Sequence, residues 1–280
     1  MATPTSGQDP TGSAAGSIGL SASGETLPSR AWYFDLAWTL VRTDFKARYH
    51  GSFSGFLWAL LKPLTMFLAL LAIFSFVFTT EPNYRLNLLV GLFLWDFFAE
   101  STKVGLISLA QKGFLLTKAK FPAWLVVVTS IVNPLITLLV FTASILVYLG
   151  FTGRLPDAPE LGLYALYLGS YSLLVIGLSL GTSVVFLRYR DLNQIWDVVT
   201  QAGFFLTPII WPIGAIPERF HFFLYLWPPT PYVDFARQLL VAGTAPSLNA
   251  TMYVLLETLL VFTAGVVVFR TRAPRAAEHL

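Results

Sequence analysis

The chain has 280 residues, of which 55% are hydrophobic and 12% are charged, and its mean hydropathy is +0.67. An average soluble domain is about 25% charged, so this composition excludes an ordinary soluble protein and predicts an integral membrane protein. The chain contains no cysteine, which excludes disulfides, thiolate catalysis and cysteine-based metal sites. Its three histidines are scattered without paired-ligand spacing, so no metal site is predicted. The net charge of +3 is small, and its distribution is more informative than its size.

The N-terminal tail, residues 1–30, consists mainly of Gly, Ser, Thr, Ala and Pro. Such a segment buries too little apolar surface to offset the entropy of ordering, so it is predicted to be disordered. It has no basic start and no apolar stretch, and is therefore not predicted to be a cleaved signal peptide. Residues 31–275 form the predicted transmembrane domain, and residues 276–280 a short C-terminal tail.

Residues 31–50 predict an amphipathic helix at the membrane interface. Asp35, Arg42 and Lys46 fall on one polar stripe, whereas Phe34 and Trp38 fall on an apolar stripe. Aromatic residues on one face and cations on the other are typical of a helix that lies in the interface plane. An ordinary soluble helix packed on a partner is the alternative.

The rest of the domain predicts an all-α fold with six transmembrane helices. A span needs about 20 apolar residues to cross about 30 Å of hydrocarbon. The predicted spans are residues 55–80, 86–110, 124–150, 161–187, 192–212 and 248–269. Residues 214–247 contain two shorter apolar pieces separated by several prolines, which predict a pair of short re-entrant helices before the last span.

The distribution of Lys and Arg predicts that both termini are cytoplasmic, because cytoplasmic loops are enriched in these residues. The proposed cytoplasmic segments contain Arg30, Arg42, Lys46, Arg48, Lys112, Lys118, Lys120, Arg188, Arg190, Arg270, Arg272 and Arg275. The proposed outer segments contain Arg85, Arg154, Arg219 and Arg237, while Lys62 and Lys103 lie within spans. The chain is therefore predicted to be a multi-pass protein of the bacterial cytoplasmic membrane.

Ionisable residues within the spans are the first candidates for function, because charges at membrane depth are costly. Asp96, Glu100 and Lys103 fall on one face of the second span. They either line a pore or a coupling site, or form a structural Glu100–Lys103 pair that meets Lys62 of the first span. Glu257 in the last span has the same two interpretations.

Aromatic residues are dense near these charges and near Pro208. Trp95, Phe204 and Phe205 are candidates for lining a path along which sugar rings stack. The alternative is ordinary helix packing, since aromatic residues are common in membrane proteins.

The chain contains no GxxxxGK[ST] phosphate-binding loop and no GxSxG nucleophile motif. If transport is driven by ATP, a separate polypeptide must hydrolyse it. The contact with that polypeptide is predicted at the lysine-bearing connector 111–122 and at the end of the fourth span. The candidate coupling residues are Lys112, Phe114, Leu115, Lys118, Lys120, Phe121, Arg188, Arg190 and Asp191. Asp191, followed by Gln194, also predicts an N-cap for the fifth span.

Five segments in this order resemble the membrane subunits of type-2 ABC exporters for polysaccharides, the group that exports O-antigen, capsule and teichoic acid. The resemblance covers residues 36–241. The segments are RYHGSFSGFLWALLKPL (48–64), GLFLWDFF (91–98), LLTKAKFP (115–122), RYRD (188–191) and LTPIIWP (206–212).

The resemblance implies a homodimeric channel that works with a separate nucleotide-binding ATPase subunit. ATP and Mg would bind to that subunit, and this chain would bind no cofactor. The substrate would be a glycan on an undecaprenyl diphosphate, attracted at the cytoplasmic leaflet by Arg42, Lys46 and Arg48. Connector 111–122 would be the coupling helix. The outer gate would include Phe220, Phe223, Tyr232, Asp234 and Arg237. Pro228-Pro229 replaces an Asn-Pro found in many relatives before the second gate helix.

Three other functions stay open at this point. A type-2 ABC permease for a drug or a lipid would need the same ATPase. A membrane enzyme acting on lipid-linked sugars would need an acid or histidine in a wet loop, among Asp157, Glu160, Glu218 and His221. A secondary transporter would use Asp96 and Glu100 as proton carriers.

Overall fold

The structure is a computed structural model that describes residues 30–49, 55–79, 81, 83–113 and 122–276. Side chains are described from residue 32 to residue 273 within these ranges. Residues 1–29 of the predicted disordered tail, residues 277–280 of the C-terminal tail and coupling residues 114–121 lie outside the described residues.

The described chain is helical, and no β-strand occurs within it. The helices are α1 (Arg30–Tyr49), α2 (Leu57–Phe74), α3 (Tyr84–Gln111), α4 (Ala123–Phe151), α5 (Ala158–Arg188), α6 (Leu192–Leu206), α7 (His221–Tyr225), α8 (Pro229–Arg237) and α9 (Leu248–Ala276). Two single turns of 3₁₀-helix, Ile213–Ala215 and Glu218–Phe220, precede α7, and a π-helical turn, Gln238–Ala242, continues α8.

Within the described residues, four helices are long and apolar enough to cross a membrane: α2, α4, α5 and α9. Helix α3 is long enough, but Asp96, Glu100 and Lys103 interrupt its apolar sequence. Helix α6 has 15 residues, which is about 23 Å of helix and less than the hydrocarbon thickness.

Helix α6 ends earlier than the sequence analysis predicted for the fifth span. Its last residue is Leu206, and Thr207 is extended because a residue before proline disfavours the helical region. Its start agrees with the prediction, with Asp191 at the N-cap position before Leu192, but Asp191 has helical backbone angles and its side chain makes no capping hydrogen bond. A capping box forms instead at the start of α5, where Asp157 and Glu160 satisfy each other's backbone amides.

Helix α8 begins at Pro229. Thr230 therefore lies inside the helix, and its buried hydroxyl makes no hydrogen bond. Gly243 follows the π-helical turn with φ of 63°, as expected for a residue that ends a helix in the left-handed region.

Helix α3 lies at the centre of the packing, in contact with α2, α4, α5, α6 and α8. The largest helix–helix contact is between α5 and α9. Their backbones approach closely where Gly177 and Gly181 of α5 meet Gly265 of α9. Small residues permit this approach, which supplies packing energy between helices in lipid.

Candidate transport site

Asp96, Glu100 and Lys103 of α3 each contact a charged residue from another helix. Glu100 is paired with Arg48 at the end of α1, and its carboxylate lies 3.8 Å from the Lys62 ammonium of α2. Asp96 lies 4.0 Å from the same ammonium. These contacts place Arg48, Lys62, Asp96 and Glu100 in one mixed-charge cluster between α1, α2 and α3, which we call the polar cluster.

Lys103 faces a different neighbour. Its ammonium forms an ion pair with Asp197 of α6 and lies 3.5 Å from the Asn193 carbonyl oxygen. The proposed Glu100–Lys103 pair is therefore wrong, whereas the proposed contact of Glu100 with Lys62 is present. Glu100 and Lys103 therefore point to different helices: Glu100 contacts α2 on one side of α3, and Lys103 contacts α6 on another.

Helix α1 has a side that packs against the bundle and an exposed side. Leu40 is buried and Asp44 is partly buried, on the side that packs against the bundle, where Asp44 is paired with Lys112 at the end of α3. Arg42 and Lys46 are exposed. Trp38 is also exposed, at 61%. An uncovered tryptophan beside exposed cations suits a helix at a lipid headgroup surface.

The aromatic residues proposed to line a path do not share one environment. Trp95 is buried and its ring packs against Phe98 and Phe204, with centroids 5.6 and 5.9 Å away. Phe205, by contrast, is 65% exposed. Among these three, only Phe205 is placed to meet a passing sugar or a neighbouring chain.

Helices α2 and α6 are the least covered long helices beside α3. In α2 only Pro63 and Leu70 are buried, and in α6 only Gly203. The exposed face of α6 includes Val198 and Phe205. Apolar surface of this extent needs lipid or another chain to cover it.

The segment after α6 is held to α3 by Arg237 of α8. Its guanidinium donates to the carbonyl oxygens of Asn87 and Ile209 at 2.8 Å and also to that of Pro208. Tyr84 donates to the Ile210 carbonyl at 2.9 Å. These side chains supply the hydrogen bonds that the broken helix no longer forms, as buried backbone requires.

The proposed gate residues divide into two groups. Tyr232, Asp234 and Arg237 of α8 face the interior: Tyr232 is bonded to Thr258, and Asp234 accepts from the Tyr225 hydroxyl at 2.6 Å. Phe223 of α7 is 65% exposed, and Phe220 just before α7 is also exposed. Helix α8 is therefore anchored in the protein, and the exposed residues of the proposed gate belong to α7 and to the 3₁₀ turn before it.

The described coupling residues lie at the same end of α3 and α5. Lys112 follows α3, and Arg188, Arg190 and Asp191 are exposed between α5 and α6. The other members of the proposed set, Phe114, Leu115, Lys118, Lys120 and Phe121, lie outside the described residues.

Of the four residues that a membrane enzyme would need, three have structural partners, whereas Glu218 is exposed and forms no hydrogen bond or ion pair with the described residues. Asp157 and Glu160 form the capping box of α5, and His221 bonds to the carbonyl oxygens of Ile213 and Ile216 at 3.1 and 2.8 Å. Glu257 of α9 has a buried carboxylate oxygen without a hydrogen-bond partner.

Sequence reasoning missed Asp197 and Asp44, the partners of Lys103 and Lys112. Asp197 follows one turn after Asn193 on a helix with many exposed residues, and Asp44 lies among four basic or polar residues of α1. In both cases the only signal in the sequence is an aspartate whose charge is opposite to that of a lysine in α3 or just after it. Which aspartate pairs with which lysine depends on how the helices are arranged.

Comparison with known proteins matches residues 35–241 to the sequence profile of the family described as "ABC-2 type transporter". The O-antigen export system permease protein RfbA of Klebsiella pneumoniae is 28% identical over 215 residues, which covers 76% of this chain and 83% of that protein. RfbA of Myxococcus xanthus is 30% identical over 189 residues, covering 67% and 72% of the two chains. The polysialic acid transport protein KpsM of Escherichia coli is 25% identical over 244 residues, covering 83% and 90%.

The matched segment begins in α1 and ends in the π-helical turn after α8, so it includes the polar cluster, the exposed helices α2 and α6 and the Arg237 anchor. The match covers well over half of the chain, and the protein therefore belongs to the ABC-2 type transporter family.

Proposed function

We propose that this chain is the permease subunit of an ATP-driven exporter. Its substrate would be a polysaccharide of the O-antigen, capsule or teichoic-acid type, linked to undecaprenyl diphosphate and moved across the cytoplasmic membrane. The observation that carries this proposal is the similarity to O-antigen and polysialic acid permeases across the whole helical bundle up to α8.

In this proposal the chain has six spans. Helices α3 and α6 cross the membrane in addition to the four that satisfy length and apolarity alone. The charges of α3 are tolerated because each has a partner on α1, α2 or α6, which lowers the cost of placing them at membrane depth. The short α6 is completed by the segment that Arg237 anchors.

Two copies would form the channel, with α2 and α6 of each copy facing the other. The sparse burial of these two helices supports this arrangement. A polymer needs a continuous path rather than a closed pocket, and a path between two copies satisfies that need. Phe205 would then lie on the channel side, where its exposed ring can stack on sugars.

Energy would come from an ATPase subunit bound at the end of the bundle that carries Lys112, Arg188 and Arg190. The Asp44–Lys112 ion pair joins α1 to the start of the proposed coupling segment. A push on that segment would therefore also move α1, whose exposed Arg42 and Lys46 are placed to bind a lipid diphosphate.

Deletion of the gene in its host tests the proposed function. We expect surface polysaccharide to disappear and the glycan on its lipid carrier to accumulate inside, measured by mass spectrometry of extracted lipids. Normal surface polysaccharide combined with loss of drug or phospholipid transport would refute the proposal.

The coupling role is tested by a Lys118→Glu and Lys120→Glu double variant. We expect export to fall while the protein is still inserted, because charge reversal disrupts the ATPase contact. Arg154→Glu, on the proposed outer side, is the matched control. Wild-type export by the double variant would remove the connector from the coupling role.

A further inference from the structure

The polar cluster lines a cavity of about 310 Å³ that the proposed export function does not explain. The cavity lies between the end of α1, the start of α2 and the middle of α3 and α4. Tyr49, Trp58 and Thr137 complete its wall beside the four charged residues. Its volume is at the lower end of small-molecule sites, which are about 300–1,000 Å³.

The cavity lies near the edge of the membrane core. Helix α3 continues for 11 residues beyond Glu100, which is about 16 Å of its roughly 42 Å length. That length exceeds the hydrocarbon thickness of about 30 Å by roughly 12 Å, so Glu100 lies about 4 Å inside the core when the whole excess is at this end of α3. Helix α2 begins at this level with Trp58 in the cavity wall, and tryptophan prefers the interface.

The cavity has two positive and two negative side chains, but not all of them form hydrogen bonds. Arg48 and Glu100 are bonded to each other. Lys62 and Asp96 are 4.0 Å apart, and in the described part of the chain neither forms a hydrogen bond. The Lys62 side chain is 72% exposed. Lys62 and Asp96 therefore have an opposite charge nearby, at 3.8–4.0 Å, but neither has a hydrogen-bond partner among the described residues.

We propose that this cavity binds the headgroup of phosphatidylethanolamine. The lipid phosphate contacts Lys62, with Arg48 beside it, and the primary ammonium donates hydrogen bonds to Asp96, with Glu100 beside it. A zwitterionic headgroup matches a site with two charges of each sign. A purely anionic lipid, such as phosphatidylglycerol or a prenyl diphosphate, has no ammonium group and would leave the Asp96 carboxylate without a donor.

Native mass spectrometry of the full-length chain, titrated with defined lipids, tests this proposal. Phosphatidylcholine is the matched probe because it has the same charges but no N–H to donate. We expect phosphatidylethanolamine to bind about tenfold more tightly than phosphatidylcholine, as expected for hydrogen bonds to a charged group. Equal binding of the two lipids, or tighter binding of phosphatidylglycerol or a prenyl diphosphate, would overturn the proposal.

Two variants test the contact with the lipid ammonium and the contact with the lipid phosphate separately. Asp96→Asn should remove the preference for phosphatidylethanolamine, whereas Lys62→Gln should weaken both zwitterionic lipids equally because both have a phosphate. Asp35→Asn, on the exposed side of α1, should change neither. If Asp96→Asn does not fold, the comparison of lipids on the wild type and on Lys62→Gln still decides the question. Retention of the preference by a folded Asp96→Asn protein would contradict the proposal.

Discussion

The contact between α5 and α9 gives a prediction whose size follows from the structure. A Cβ atom added at Gly177 would lie 2.5 Å from the Phe262 Cα and 3.0 Å from the Phe262 nitrogen. Carbon atoms in contact are normally about 3.5–4.0 Å apart, so the helices would have to separate by about 1–1.5 Å. Both neighbours are backbone atoms that cannot rotate away. We therefore expect Gly177→Ala to cost about 1–3 kcal/mol, the usual range for overpacking.

Gly169→Ala is the matched control on the same helix. A Cβ at Gly169 meets no atom within 4 Å, and alanine favours a helix over glycine by about 1 kcal/mol in water. The control should therefore unfold at the same temperature as the wild type or slightly higher. Thermal unfolding in one detergent, followed by fluorescence at one scan rate, compares the two variants directly.

A second variant tests whether the same contact is responsible. Gly265→Ala places its Cβ 2.5 Å from the Gly177 carbonyl carbon, so it should destabilise the protein as Gly177→Ala does. The two changes should be less than additive when combined, because residues in contact share one separation of the helices. Equal unfolding temperatures for Gly177→Ala and Gly169→Ala would refute the close packing of α5 on α9.

Three other predictions concern side chains that join separate elements. Arg237→Gln removes a charged donor from three carbonyl oxygens, and we expect about 2–4 kcal/mol of destabilisation in the same unfolding assay, against little change for exposed Arg219→Gln. Lys103→Glu places like charges together with Asp197 and should reduce export of surface polysaccharide, and adding Asp197→Lys should restore it. Asp157→Ala removes half of the α5 capping box and should cost about 1 kcal/mol, with export and ATPase binding unchanged.

Each of these predictions has a result that contradicts it. Arg237→Gln and Arg219→Gln proteins of equal stability would show that the guanidinium does not anchor α8. A charge-swapped double variant as defective as Lys103→Glu would show that the pair with Asp197 is not what export needs. Loss of export in a stable Asp157→Ala protein would support the membrane-enzyme alternative.

The apolar helices were predictable because of a constraint that does not depend on tertiary structure. In lipid, each backbone amide and carbonyl must be bonded within its own segment, so a long apolar stretch has to be helical. Helices α2, α4, α5 and α9 follow from hydropathy and length alone. The ends of the helices are harder to predict from the sequence. Asp157–Glu160 and Asp191–Gln194 both have the spacing of a capping box, but only the first pair forms one.

The site was less predictable because its contacts join residues that are far apart in sequence. The sequence placed Asp96, Glu100 and Lys103 on one face of a helix, but their partners belong to three other helices. Arg237 was expected at a gate, and it is bonded instead to backbone on α3 and after α6. Such pairings depend on where each helix lies, which local patterns do not encode.

Composition and local periodicity are sufficient to predict the membrane class, the apolar helices, an N-terminal helix and the family resemblance. The pairing of charges, the burial of aromatic rings and the exposure of α2 and α6 follow from how the helices pack. The reason is that a charge in a membrane needs a partner, and the nearest partner is set by helix packing rather than by neighbouring residues in the chain.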